Sequence, residues 1–282
     1  MEKKIFFAAV PKMRYGFDMD HPWKYTVPFY RAAPHVWQVG GQDDVCVYLL
    51  DTGEGIILLD TGYQGSFYLL MDNIWRAGFD PKDIKHILLS HWHWDHVNGA
   101  RYLKEMSGAK IWISKEDEKE HQAFKDATEP MSTVEYEVDC FYDNSKTIDL
   151  GRFKIHTKLC AGHTPGSTSF FFEDTDDETG VVYKCAMHGG LGAPLMRPDL
   201  LAEYNQPQEL AHRFIRESFE NANIPVDIML PSHLNQGNVM PNIPEDRTDY
   251  TPFIADYAWG DILRNRAEAV MSYYPEVYPP KN

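Results

Sequence analysis

The chain has 282 residues, 43% of them hydrophobic and 24% charged, enough to bury a full core in a single domain spanning 1–282. A formal charge of −15, with no cluster of Lys and Arg to neutralise phosphates, excludes nucleic acid as a partner. No apolar run nears the ~20 residues that a membrane-spanning helix requires, and Pro11, Lys12 and Arg14 interrupt the N-terminal stretch too early for an export signal, so a cytoplasmic protein with no membrane partner is expected.

Turn residues between apolar runs predict strands over 36–39, 45–50 and 56–59, with Asp51-Thr52-Gly53-Glu54-Gly55 as the last turn. Leu69, Leu70, Ile74 and Trp75 recur at helical spacing and predict a helix over 67–77. Asp80-Pro81 turns the chain towards a buried strand at Ile87-Leu88-Leu89. Helices near 100–106 and 115–125 bracket a strand at 110–113. The segment 127–142 reads as a loop whose Tyr136, Phe141 and Tyr142 would form either an apolar lid or simple anchors. Strands are expected at 148–150, 153–159, 167–172 and 181–186, then a helix over 208–222, a strand at 227–230, a helix over 253–273 and a loosely held tail from 274. Two such halves imply sheets stacked as a sandwich and covered by helices. Cys46, Cys140, Cys160 and Cys185 have no CxxC spacing and read as free, mostly buried thiols of a reducing compartment.

The chemistry is concentrated in Ser90-His91-Trp92-His93-Trp94-Asp95-His96-Val97-Asn98-Gly99. Neutral imidazole and carboxylate suit zinc and similar ions, and here three histidines and one aspartate lie within six residues at the end of a strand. His91 and His93, two apart, can point to the same side, while Asp95 and His96 address a second position past the turn. Gly162-His163-Thr164-Pro165-Gly166-Ser167 forces a sharp turn after a strand, and His163 would supply the third ligand beside His91 and His93. Pro231-Ser232-His233 repeats the arrangement, and His233 would complete the set with Asp95 and His96. Trp92 and Trp94, interleaved with the ligands, would pack into the core or line the pocket.

In this combination the HxHxDH run, the Gly162–Ser167 turn, Ser232-His233 and the early Asp60-Thr61-Gly62 resemble the metallo-β-lactamase fold superfamily, in order from about Val36 to His233. Segment lengths and Gly189-Gly190-Leu191-Gly192-Ala193-Pro194 are most similar to the branch containing the subclass B3 β-lactamases. The resemblance implies an α/β fold, an αββα sandwich of two mixed sheets flanked by helices. It also implies two zinc ions, one on His91, His93 and His163 and the other on Asp95, His96 and His233, with Asp60 as a buried carboxylate that orients the ligand loop.

Two departures bear on function. Where many superfamily hydrolases carry a bridging aspartate, this chain reads Cys185-Ala186-Met187-His188-Gly189-Gly190, and His188 is either an extra ligand, a substrate contact or a loop histidine. B3 enzymes also lack that bridge, but they place serines near the substrate carboxylate where Gly190 and Gly192 stand here. The expected activity is therefore zinc-dependent opening of a cyclic ester or amide in a small-molecule substrate, by hydroxide generated from a water shared between two metals, with Asp95 orienting it. The alternatives are a B3-like β-lactamase and an iron-binding redox protein, the latter wanting more carboxylates than this chain offers. A phosphodiesterase is disfavoured by the acidic balance and the missing aspartate.

Overall fold

The computed structural model describes residues 21–42, 44–124, 133–236 and 239–279. The expectation about the N-terminal stretch, and those parts of the 127–142 loop and of the tail that fall elsewhere, lie outside these residues. The elements are β1 (Tyr30–Ala33), β2 (Val36–Gln38), β3 (Tyr48–Asp51), β4 (Ile56–Leu59), α1 (Phe67–Arg76), β5 (Ile84–Leu88), α2 (Trp94–Val97), α3 (Ala100–Ser107), β6 (Lys110–Ile113), α4 (Lys115–Phe124) and β7 (Cys140–Phe141). There follow β8 (Thr147–Leu150), β9 (Phe153–Leu159), β10 (Thr168–Thr175), β11 (Val182–Met187), α5 (Pro198–Glu203), α6 (Glu209–Asn221), β12 (Ile228–Leu230) and α7 (Ala258–Met271).

One sheet runs β1 to β7 in chain order, antiparallel as far as β4 and parallel from β4 to β7. The other is ordered β12-β11-β10-β9-β8, parallel only between β11 and β12. Alternation along the strands explains the layering. Ile56 and Leu58 of β4, with Leu49 and Ile87, join a core cluster with Leu70 and Ile74 of α1 and Leu103 of α3. Their neighbours Ile57, Leu59, Leu50 and Leu88 join the opposite cluster with Phe153, Ile155, Phe170 and Phe172 of the second sheet. β3 and β4 at the centre of the first sheet are therefore buried on both faces, which is why they read as continuous apolar runs. On the far side α6 and α7 pack together, and the Trp259 indole donates to the Asn221 carbonyl at 2.8 Å. Both sheets are mixed and helices flank them, as the αββα expectation requires. Among the described residues no helix is long and apolar enough to cross a membrane.

The differences from the sequence reading have local causes. Residues 45–47 precede β3 because Val45 bridges His233 and the Cys46 amide donates to the Ser232 carbonyl at 2.9 Å, diverting this stretch to the late ligand loop. The last helix starts at Ala258 rather than near 253, since Pro252 sits in a 3-10 turn and Ile254 pairs with Ile228. β1, α2, β7 and α5 were not foreseen: each is short, and β1 reads Tyr-Arg-Ala-Ala, with little strand character. The tail is held more firmly than expected. Tyr274 is 1% exposed and its hydroxyl donates to the Met196 carbonyl at 2.7 Å, while Tyr278 packs against the core.

Candidate metal centre

Four strands deliver the ligand loops to one edge of the sandwich. β4 ends into Asp60, β5 into His91, β9 into His163 and β12 into His233. Backbone hydrogen bonds stitch these loops together: Asp60 to the Leu88 carbonyl at 3.0 Å, Thr61 to that of His96 at 2.8 Å, and Thr168 to that of Ser90 at 2.9 Å. All six residues singled out as ligands come together. His91, His93 and His163 form one group and Asp95, His96 and His233 another, with the donor atoms of each group within 4.8 Å of one another.

Hydrogen bonding decides which nitrogens are left to coordinate. The Ser90 hydroxyl donates to Asp60 Oδ2 at 2.7 Å, so the 3.0 Å contact between Ser90 Oγ and His91 Nδ1 takes its proton from the imidazole. His91 Nε2 is then a bare lone pair, buried and without a hydrogen-bond partner. Asp60 also accepts from the Ser90 amide at 2.7 Å and lies 2.7 Å from His96 Nδ1, which fixes His96 with Nε2 inward. Asp44 does the same for His233, 2.9 Å from its Nδ1. The inward nitrogens of His96 and His233 face each other at 3.1 Å, and His93 Nδ1 faces His163 Nε2 at 3.0 Å. Asp95 Oδ2 lies 3.5 Å from His96 Nε2 and 3.7 Å from His233 Nε2. Converging donor atoms, with the outer nitrogens of His91, His96 and His233 hydrogen-bonded to a serine and two carboxylates, fit divalent metal ions at both positions.

Asp60 performs the orienting role that the sequence resemblance implied, fully buried and in the left-handed region at φ 59°. Backbone strain of this kind, about 1–3 kcal/mol, persists where the surroundings over-determine it, as three hydrogen bonds do here. Three further residues were missed. Besides Ser90 and Asp44, Asp117 of α4 accepts from the Trp92 amide at 3.0 Å, the Gly166 amide at 2.6 Å and the Thr164 hydroxyl at 2.9 Å. One carboxylate thus ties the His91–His93 loop to the His163 loop. Ser114-x-x-Asp117 has the spacing of a helix-capping box, and the Ser114 hydroxyl does accept from the Asp117 amide at 3.1 Å, but the aspartate side chain points at the ligand loops instead.

His188 lies outside both groups. It is buried against Phe214 and Trp259 and accepts from the Gly190 amide at 3.1 Å, and burial lowers its pKa to about 3. Trp92 is buried in the core beside His93, whereas Trp94 packs edge-on to Tyr63. Tyr142 anchors its loop by donating to the Leu89 and Trp112 carbonyls at 2.9 and 3.0 Å and Tyr136 stacks on His121, so these two are anchors, whereas Phe141 is exposed.

Burial first, then neighbouring imidazoles, hold His91 and His93 well below the usual histidine range and bring His163 to about 3. Burial also opposes a charge on His233, but Asp44, reinforced by Asp95 and Asp60, overcomes it and raises this imidazole to about 9. In the metal-free protein these shifts act in opposite directions. Between about pH 6.5 and 3 the unfolded chain takes up a proton at His163 that the folded chain refuses, so stability falls as pH drops through that window. The His233 contribution is complete below about pH 6.5 and is lost as pH rises through about 9. The urea midpoint of metal-free protein is expected to peak near pH 6.5, and His163→Gln should make the acid limb shallower. A midpoint unchanged between pH 7 and 5 would contradict this.

Comparison with known proteins agrees with the geometry. A sequence model of the metallo-beta-lactamase superfamily matches residues 40–177, the span that holds five of the six ligand candidates. Residues 40–177 carry the metallo-β-lactamase superfamily pattern. A hydroxyacylglutathione hydrolase from Jannaschia sp. (strain CCS1) is 34% identical over 86 residues, covering 30% of this chain and 28% of that protein. An N-acyl homoserine lactonase from Bacillus thuringiensis is 27% identical over 158 residues, covering 46% of this chain and 58% of the lactonase. The matches thus span less than two thirds of either relative. In three dimensions the FEZ-1 metallo-beta-lactamase of Legionella gormanii superposes with a TM-score of 0.79 over 91% of this chain and 98% of that one, at 21% identity, a likeness of fold.

Proposed function

We propose that the protein is a zinc-dependent hydrolase of small esters or cyclic esters, lactones among them, working with two metal ions. The observation that carries this reading is the pair of converging ligand sets, His91, His93, His163 and Asp95, His96, His233, in which the outer nitrogens of His91, His96 and His233 are engaged so that their lone pairs point inward. Metal ions there lower the pKa of water and polarise a carbonyl. Asp60, Ser90 and Asp44 hold the imidazoles in the ligating tautomer. Asp95, at the start of α2 and partly exposed, is placed to orient the attacking water, accept its proton as the new C–O bond forms, and return it to the leaving oxygen as the old one breaks. Free thiols at Cys46, Cys160 and Cys185, all buried, favour a reducing setting such as the cytoplasm.

β-Lactams fit less well, and the reason is steric. A Cβ at Gly192 would overlap the His163 ring atoms Cε1 and Nδ1, and one at Gly190 would come within 2.7 Å of His163 Cβ and 2.8 Å of Ser167 Oγ. These glycines let the backbone close on a ligand histidine, so the loop cannot present serine hydroxyls to a substrate carboxylate without displacing His163. The test is a substrate panel on zinc-loaded protein. Lactones or esters should be turned over, with activity abolished by chelation and restored by zinc. A kcat/KM towards penicillins or carbapenems of about 10⁴ M⁻¹s⁻¹ or more, the ordinary enzymatic range, would overturn the preference.

A further inference from the structure

A recess of about 50 Å³ opens beside the first ligand group, with His93 and His163 in its wall. Two ligand loops contribute Trp92 and Pro165. Leu201 of α5 and Leu210 of α6 face them, with Leu195 from the turn before α5. The lining is mostly hydrocarbon. Its one charged residue is Glu120 of α4, which accepts from the Gln206 side chain at 2.8 Å, and no Lys or Arg is among the described residues that line it. A carboxylate arm entering here would meet Glu120 with no Lys or Arg among the described lining residues to offset it, whereas an alkyl arm would exchange water for leucine and tryptophan surface.

We propose that this recess is the subsite for an uncharged, unbranched aliphatic arm carried by the reacting carbonyl, a specificity that rests on the hydrolase reading above. The arm attached to the carbonyl must stay in register with the site while the leaving group departs, and a recess walled by two ligand histidines keeps it there. Size sets the length. A recess this small favours a short arm over a long one.

The experiment is a chain-length series of p-nitrophenyl esters, from acetate to decanoate, on zinc-loaded protein. With about 0.8 kcal/mol per buried methylene, kcat/KM should rise about fourfold per carbon up to hexanoate and then level or fall. Leu195→Phe, at a half-buried position, should cut the hexanoate-to-acetate ratio at least tenfold by filling the recess. Glu120→Lys should shift preference towards the p-nitrophenyl monoester of glutaric acid, whose arm ends in a carboxylate. Binding of 1-hexanol, measured by calorimetry, provides a readout that needs no turnover. Hexanol binding that is lost in Leu195→Phe, with no ester hydrolysed, would uphold the subsite and overturn the hydrolase reading. Ester turnover with a flat chain-length profile, unmoved by Leu195→Phe, would overturn the subsite and leave the hydrolase reading standing. Absence of both hexanol binding and turnover would overturn both.

Discussion

His163→Ala and Asp95→Ala are each expected to abolish hydrolysis, with kcat/KM falling by more than the roughly 10–100-fold that follows loss of a partner behind a metal ligand. The two should differ in what they release. His163 belongs with His91 and His93, so removing it leaves two ligands there and drains that position. Asp95 belongs with His96 and His233, so its loss drains the other. Each variant should retain about one of two metals, because a site reduced from three protein ligands to two binds far less tightly. Neither change should unfold the protein, since both side chains lie at the sandwich edge and are partly exposed. Wild-type turnover in either variant, or equal loss of both metals in both, would contradict the two-group assignment.

Asp60 should show the largest effect on folding. Its carboxylate accepts from the Ser90 amide and hydroxyl and from His96, all at 2.7 Å, with both Asp60 and His96 fully buried. Asp60→Ala leaves these donors unpaired and places alanine at φ 59°, so a loss of about 3–5 kcal/mol is expected from urea unfolding. Asp60→Asn separates the metal effect from the fold. The amide can still accept from the Ser90 backbone, but its NH₂ would donate to His96 Nδ1 and drive the ring proton to Nε2, the ligating atom. Metal affinity at the second position should then fall about 10–100-fold with a smaller stability change. Asp60→Asn with wild-type metal affinity would remove the tautomer argument.

The candidate ligands and their grouping were legible in the chain because coordination chemistry favours histidine and aspartate at strand ends, and the 90–99 run and the turns at His163 and His233 display both conditions. The strands were legible where both faces are buried, as at Ile56–Leu59, and where buried and exposed residues alternate, as at Phe153–Leu159. What supports the ligands was harder to see. Asp117 sits in a run of Lys and Glu that looks like a solvated helix face, and only tertiary packing brings its carboxylate to Trp92 and Gly166. Asp44 lies 189 residues from His233, and nothing local marks it as that histidine's partner. Gly190 and Gly192 read as a lost serine pattern. Their closeness to the His163 ring, which gives them a positive role, exists only in the fold.

The central claim, two metal ions held by His91, His93, His163 and by Asp95, His96, His233, is tested most directly by elemental analysis of protein purified without added metal and then dialysed against trace zinc. The account predicts close to two zinc ions per chain, falling to about one in His163→Ala and in Asp95→Ala. A content near one that added zinc does not raise, or iron as the dominant metal, would contradict it.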